Sequence, residues 1–286
     1  MLLEIAIGDA YGAGFEFSPK EVILKHNNLQ QYHPHQKYTS LKPGSYTDDT
    51  QMSLAITELL LDKKEWTPYT IASKFLEVFK RDPREGYASG FFALLNNCRT
   101  PKEFIDRIVP FSEKNGAAMR ASPIGFLPNI SDVIKYSKLQ AQLTHNTAIG
   151  IDSAIASSLI SYYFFHSIGN KQELGRFIER LVPSILWSQP WVGIVETKGD
   201  QAVHAAITII QNSHSLSEIL LKSVDLGGDV DTVAAIAMAG ASCSKEIEKD
   251  IPWGLIENLE NNTYGRDYLL KLDQKLFAKF GGKNVQ

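Results

Sequence analysis

The stretch Tyr46-Thr47-Asp48-Asp49-Thr50-Gln51-Met52-Ser53-Leu54-Ala55-Ile56-Thr57-Glu58-Leu59-Leu60-Leu61 changes character partway along. Its second part places Met52, Ala55, Ile56, Leu59 and Leu60 at the spacing of one helix face. Its first part sets two carboxylates side by side, flanked by threonines, where that helix begins. One such side chain suffices to cap a helix and meet the positive end of its dipole. A second carboxylate adds like-charge repulsion that a cation should offset.

The helical period recurs along the chain. Thr67-Pro68 reads as N-cap and first helical residue, and Ile71, Phe75, Leu76 and Phe79 form the face that follows. Thr100-Pro101-Lys102-Glu103 reads as a capping box. Ile151, Ala154, Ile155, Ser158, Leu159, Tyr162 and Tyr163 predict a long helix after Thr147, and Leu174, Phe177, Ile178 and Leu181 predict another. The run Thr232 to Ala241 is rich in Ala and Gly, so helices can approach closely there. Leu255, Ile256 and Leu259 mark a short helix, and Tyr268 to Phe280 a last one. Trp191 to Val195 is the single candidate strand. With no repeat and no low-complexity linker, the pattern predicts an all-α chain of many helices in one domain spanning 1–286.

Composition narrows the function. The chain is 44% hydrophobic and 21% charged, ordinary for a protein with a sizeable core. A net charge of -3, with no dense Lys/Arg run, gives no sign of a nucleic-acid surface. Cys98 and Cys243 are far apart and in no CxxC, which suits a reducing cytoplasm. The start MLLEIAIGDA lacks a cationic segment and carries Glu4 and Asp9, unlike a signal peptide. Leu159 to Phe165 is too short for a bilayer, which takes ~20 residues. Cytoplasm without membrane attachment is the expectation.

A second acidic turn, Gly227-Gly228-Asp229-Val230-Asp231-Thr232, also precedes a helix. The glycines permit unusual backbone dihedrals and tight packing. Asp229 and Asp231, one residue apart, can point to the same side of a turning segment. Capping explains either turn taken alone. Taken together, the aspartates and threonines of both turns offer hard oxygen ligands only, which suits Mg²⁺ or Mn²⁺ better than zinc. Such a set has room for two ions at the ~3.5–4 Å separation of two-metal sites. If the turns meet, the chain closes on itself from residue 48 to residue 231, which favours one domain. Gly12-Ala13-Gly14-Phe15-Glu16-Phe17 lacks the third glycine of a dinucleotide fingerprint, and no GxSxG, HExxH or Walker A pattern occurs.

In order along the chain, IGDAYGAGFE (7–16), YTDDTQ (46–51), GYASGF (86–91), NGAAMRASPIG (115–125), THNT (144–147) and GGDVDT (227–232) resemble the ADP-ribosylglycohydrolase family. The TDDT and GGDxDT pair is the specific part. The resemblance implies an all-α, single-domain orthogonal multi-helix bundle holding two divalent cations, Mg²⁺ or Mn²⁺. It implies Thr47, Asp48, Asp49, Asp229, Asp231 and Thr232 as the ligands, the set that charge crowding also picks out. It implies hydrolysis of the bond joining ADP-ribose to an acceptor, with arginine the expected acceptor.

In that chemistry the anomeric carbon becomes oxocarbenium-like. A cation can orient the ribose hydroxyls and acidify a water, and a carboxylate can take the water's proton. Asp49 and Asp231 are the expected catalytic carboxylates. Glu16 resembles the family's mobile glutamate beside the metals, a gate or a substrate-orienting group, with a surface carboxylate as the plainer account. Asn115, Gly116, Ala117, Ala118 and Met119 resemble a phosphate and ribose loop whose backbone N–H groups reach the ligand, and a plain Asn-Gly turn is the alternative. Arg120 either pairs with a phosphate or buttresses the acidic site. His145 is either the histidine beside the ADP-ribose or a core histidine. Ser89 and Gly90 either line the distal ribose or start a helix, and Trp187 and Trp191 are adenine-stacking candidates or ordinary core and surface tryptophans.

The expected partner is an ADP-ribosylated protein or a small ADP-ribosyl compound, with a cognate ADP-ribosyltransferase as a further candidate. A non-catalytic or immunity protein of the same fold is the competing class. Loss of ligand aspartates would mark the non-catalytic relative, and all four are present; a bulky insertion near the site entrance would mark the immunity protein. GDAYG follows only seven residues, which implies a short first helix.

Overall fold

In the computed structural model, residues 1–62 and 64–281 are described. The chain enters through α1 (Leu2–Ala13) and α2 (Lys20–His26), followed by α3 (Asp48–Leu61), α4 (Pro68–Arg81), α5 (Ser89–Asn97), α6 (Pro101–Arg107) and the single turn α7 (Gly116–Met119). Next come α8 (Ile130–Gln142), α9 (Ala148–Phe165), α10 (Leu174–Leu181), α11 (Gly199–Gln211), α12 (Leu216–Asp225) and α13 (Val230–Ser242). The short α14 (Trp253–Asn258) and the final α15 (Arg266–Phe280) complete an all-α multi-helix bundle. Among the described residues β-pairing is limited to isolated bridges. The candidate strand Trp191–Val195 is therefore a loop, in which Val195 alone pairs with Gly228.

Local chemistry explains most helix starts. Thr67 accepts from Thr70 N–H and Thr70 accepts from Thr67 N–H, a reciprocal box around Pro68. The buried face Ile71, Phe75, Leu76 and Phe79 contributes roughly 1.5–3 kcal/mol per side chain. Thr100 caps α6 through Glu103 N–H. The expected box does not close there, because the Glu103 carboxylate reaches Arg99 N–H instead. Thr147 caps α9 through Gly150 N–H at 3.1 Å. The last helix starts at Arg266, two residues before the sequence-based boundary.

Helix α9 is eighteen residues, much longer than the Leu159–Phe165 stretch, and apolar enough by composition to cross a bilayer. In this fold 72% of it is buried against other helices, making it a core element. Helix α1 runs for twelve residues and is buried on nearly every side. It lies against α13 so closely that a Cβ on Gly12 would stand 2.4 Å from Asp231 Cα. A further contact, from Asp9 on the same helix, reaches the start of α3. Helix α1 thus links the two acidic turns.

Candidate active site

The first acidic turn is held by a carboxylate outside it. Asp9, fully buried in α1, accepts from Thr47 N–H (2.9 Å), the Thr47 hydroxyl (2.7 Å), Thr50 N–H (3.0 Å) and the Thr50 hydroxyl (2.6 Å). Thr47 has no side-chain cap bond of its own in α3. Asp9 does the capping from a distance, and this leaves Asp48 and Asp49 free of that duty. Burial pushes the Asp9 carboxyl up while its four donors pull it back.

The second turn is shaped by Gly227 and Gly228, with φ of 72° and 90°. These left-handed dihedrals suit glycine, and a Cβ on Gly228 would lie 1.9 Å from the Val195 carbonyl oxygen. Val195 N–H donates to Gly227 O (3.1 Å), and Asp229 N–H donates to Val195 O (2.8 Å). Phe17 N–H donates to Gly228 O (2.8 Å), which brings its neighbour Glu16 to the turn. Glu16, Asp229 and Asp231 each offer a carboxylate oxygen, all within 4.8 Å of one another.

The two turns meet. Asp48 and Asp49 line the same cavity as Asp229, Asp231 and Thr232 with its hydroxyl. Asn115 Nδ2 donates to that hydroxyl oxygen at 3.1 Å. Desolvation pushes Asp229 up to about 6. Desolvation and then repulsion among the carboxylates hold Asp48, Asp49 and Asp231 well above the ordinary range. The principal charges acting on these groups are other carboxylates. Asp49 Oδ1 is buried with no hydrogen-bond partner among the described residues. Buried, mutually repelling carboxylates with an orphaned oxygen fit a divalent cation. The three-carboxylate cluster is sufficient for one such ion.

Beside the turns opens a cavity of about 930 Å³. Asp48, Asp49, Asp229, Asp231 and Thr232 line it, and so do Glu16, Ser89, Gly90, Asn115, Gly116, Met119 and His145. Thr47 and Ala117 do not. The Thr47 hydroxyl hydrogen is taken by Asp9, and Ala117 packs with Ala121, Ala141 and Ala154 behind the wall. The 115–119 segment is one helical turn, so the N–H groups of Ala118 and Met119 are occupied by Asn115 O. Ser89 and Gly90 are exposed at the start of α5.

Arg120 is buried and buttresses. Its guanidinium donates to Gln140 Oε1 (2.6 Å), Gln140 O (3.2 Å) and Thr144 Oγ1 (2.7 Å) and lies 4.7 Å from the centre of the Phe75 ring. Thr144 in turn bonds His145 Nδ1 at 2.6 Å. Burial, with Arg120 nearby, pushes His145 down to about 3, so its ring is neutral. The tryptophans do not serve the cavity. Trp187 is a core residue donating to Val182 O (2.9 Å), and Trp191 donates to Gly193 O (3.1 Å). Aromatic lining comes from Phe17, Tyr38, Tyr87, Phe91 and Phe92 instead.

Two residues here have no role in the sequence-based account. Asp9 carries a readable signal, a carboxylate inside the apolar run LLEIAIGDAYGA. His35, whose Nε2 lies 2.7 Å from Glu16 Oε2, carries none.

Comparison with known proteins places the chain. The ADP-ribosylglycohydrolase family model matches residues 1–286. The ADP-ribosyl-[dinitrogen reductase] glycohydrolase of Rhodospirillum rubrum is 28% identical over 277 residues, covering 90% of this chain and 88% of that protein. Human ADP-ribosylhydrolase ARH3 is 27% identical over 254 residues, covering 68% of this chain and 70% of that protein. A solved structure described as an ADP-ribosylglycohydrolase-related protein complex shares the fold, with a TM-score of 0.72 at 22% identity over 97% of this chain and 95% of that one. The chain belongs to the ADP-ribosylglycohydrolase family.

Proposed function

We propose that the protein is a cytoplasmic, metal-dependent hydrolase that frees mono-ADP-ribose from a protein side chain, arginine foremost, and that it works as one domain over residues 1–286. The observation that carries this reading is that both acidic turns, Asp48 and Asp49 on one side and Asp229, Asp231 and Thr232 on the other, line one cavity. The named activities of the Rhodospirillum rubrum and human relatives, both hydrolases of ADP-ribosyl groups, support it.

Glu16, Asp229 and Asp231 would hold one divalent cation, and Asp48, Asp49 and Thr232, on the same cavity wall, would complete a second position. When bound, such cations supply Lewis acidity toward water and orient the ribose hydroxyls. The remaining work falls to the chain. Asp49, with its free Oδ1, accepts the proton of the attacking water. Water oxygen bonds to the anomeric carbon as the bond to the acceptor nitrogen breaks; its electron pair leaves with the nitrogen, and the proton taken by Asp49 then passes to that nitrogen, restoring the carboxylate. Asp231 steadies the positive charge that develops on the ribose ring. Asn115, Gly116, Met119 and His145 position the nucleotide along the wall, and Ser89 and Gly90 flank it at the edge.

The test is a release assay on mono-ADP-ribosylated arginine and serine peptides, with and without Mg²⁺, using the wild type, Asp49→Ala and Asp231→Ala. Release from the arginine peptide that depends on Mg²⁺ and collapses in both variants is the expected result. Undiminished turnover in chelator or in both variants overturns the mechanism, and release from the serine peptide alone overturns the acceptor.

A further inference from the structure

The loop between α2 and α3 contributes one buried imidazole to the site, that of His35. Its Nδ1 accepts from Lys37 N–H at 3.0 Å and faces Tyr38 N–H at 3.3 Å. A ring nitrogen that accepts backbone N–H groups carries no hydrogen, so the proton sits on Nε2. Nε2–H then points at Glu16 Oε2, 2.7 Å away. The loop is anchored apart from Glu16 as well, with the His33 ring 5.2 Å from Phe15 and 4.7 Å from the His26 ring.

We propose that His35 is the positioning residue for Glu16. It fixes the Glu16 carboxylate toward Asp229 and Asp231 and so sets the affinity of that cluster for a divalent cation. The choice of a neutral donor follows from the electrostatics. A lysine or arginine in this place would orient Glu16 and also cancel its charge. An imidazole N–H orients the carboxylate and leaves its charge for the cation. The Phe17 N–H bond to Gly228 O holds the backbone beside Glu16 at the turn but puts no restraint on the glutamate side chain. The His35 hydrogen bond supplies it. Outer partners of ligand carboxylates are commonly worth about 10–100-fold in metal affinity.

This inference rests on the metal-dependent reading of the site. The test is calorimetric titration of the full chain with Mn²⁺ alone, alongside thermal melting to confirm folding. His35→Leu is expected to weaken Mn²⁺ binding at least about tenfold. His35→Gln, which keeps an N–H near the Nε2 position, is expected to recover most of that loss. His35→Leu added to Glu16→Ala should cause no further weakening, since the histidine acts through the glutamate. Should the leucine variant not fold, His35→Asn replaces it, because its amide sits at the Nδ1 position and falls short of Glu16. A leucine variant that binds like the wild type overturns the assignment. So does a glutamine variant as weak as the leucine, or additive losses in the double variant; each leaves the metal reading in place. A wild type that binds no Mn²⁺ overturns the metal reading and the His35 assignment together.

Discussion

Replacing Asp9 with asparagine tests how the first acidic turn is held. Both carboxylate oxygens are engaged: Oδ1 by the Thr47 hydroxyl, Oδ2 by Thr50 N–H and the Thr50 hydroxyl, and Thr47 N–H spans the two. An amide accepts through one atom only. Its best placement puts the NH2 group toward Thr47, whose hydroxyl can rotate to accept, while both N–H donors crowd the remaining oxygen. Each charge-assisted bond then becomes a neutral one, a loss of about 1 kcal/mol, or about 4 kcal/mol over four donors. Part of this is recovered, because Asp9 is the foremost charge raising Asp48 and Asp49, and its removal relieves that repulsion. A bound cation removes the same repulsion by another route, so the recovery shrinks when Mn²⁺ is present. The net cost should be about 2–4 kcal/mol with Mn²⁺, a fall in melting temperature of about 3–7 °C for a chain of this length, and visibly less without it. Thermal melts of wild type and Asp9→Asn with saturating Mn²⁺ and with chelator measure both quantities. A variant within about 1 °C of wild type in Mn²⁺, or one hurt more in chelator, would refute the account.

Three further outcomes follow from the geometry. Gly12→Ala should destabilise by about 1–3 kcal/mol through overpacking on Asp231. The same change in an open helix stabilises by roughly 0.8–1 kcal/mol, so a rise in melting temperature would contradict the close approach. The raised carboxyls of Asp229, Asp48, Asp49 and Asp231 mean that the folded, metal-free protein holds more protons than the unfolded chain above the ordinary aspartate range. Its stability should therefore fall as pH rises from the ordinary aspartate range through about 6, with saturating Mn²⁺ flattening the trend; a metal-free melting temperature that climbs over that window would count against the crowding argument. His145, pushed down to about 3, should show no titration of its ring proton resonance between about pH 5 and 8, and a midpoint near 6.5 would place it outside the buried wall.

Legibility differed residue by residue. Thr67 and Pro68 announce α4, because capping and the 3.6-residue period act within a few positions. Helix α12 carries equally plain signals, with Ser215 capping through Glu218 N–H and Leu216, Ile219, Leu220 and Val224 on its buried face. Helix α7 is one turn long and has no period to read. Trp191 to Val195 looks like a strand because its residues favour one, yet its pairing with Gly228 stops at one bridge. Trp187 and Arg120 are residue types that occur both at sites and in cores. Their own neighbourhoods in sequence do not reveal that each is buried and satisfied by core partners.

The amino-acid sequence alone determined the helical class, the capped helix starts and two acidic turns with oxygen ligands, since all of these depend on residues a few positions apart. Whether those turns share a site depended on contacts between residues nearly two hundred positions apart, which no local spacing encodes. Packing of α1 made that decision. Gly12 admits α13 on one side and Asp9 grips the start of α3 on the other, and the same assembly sets His35 against Glu16.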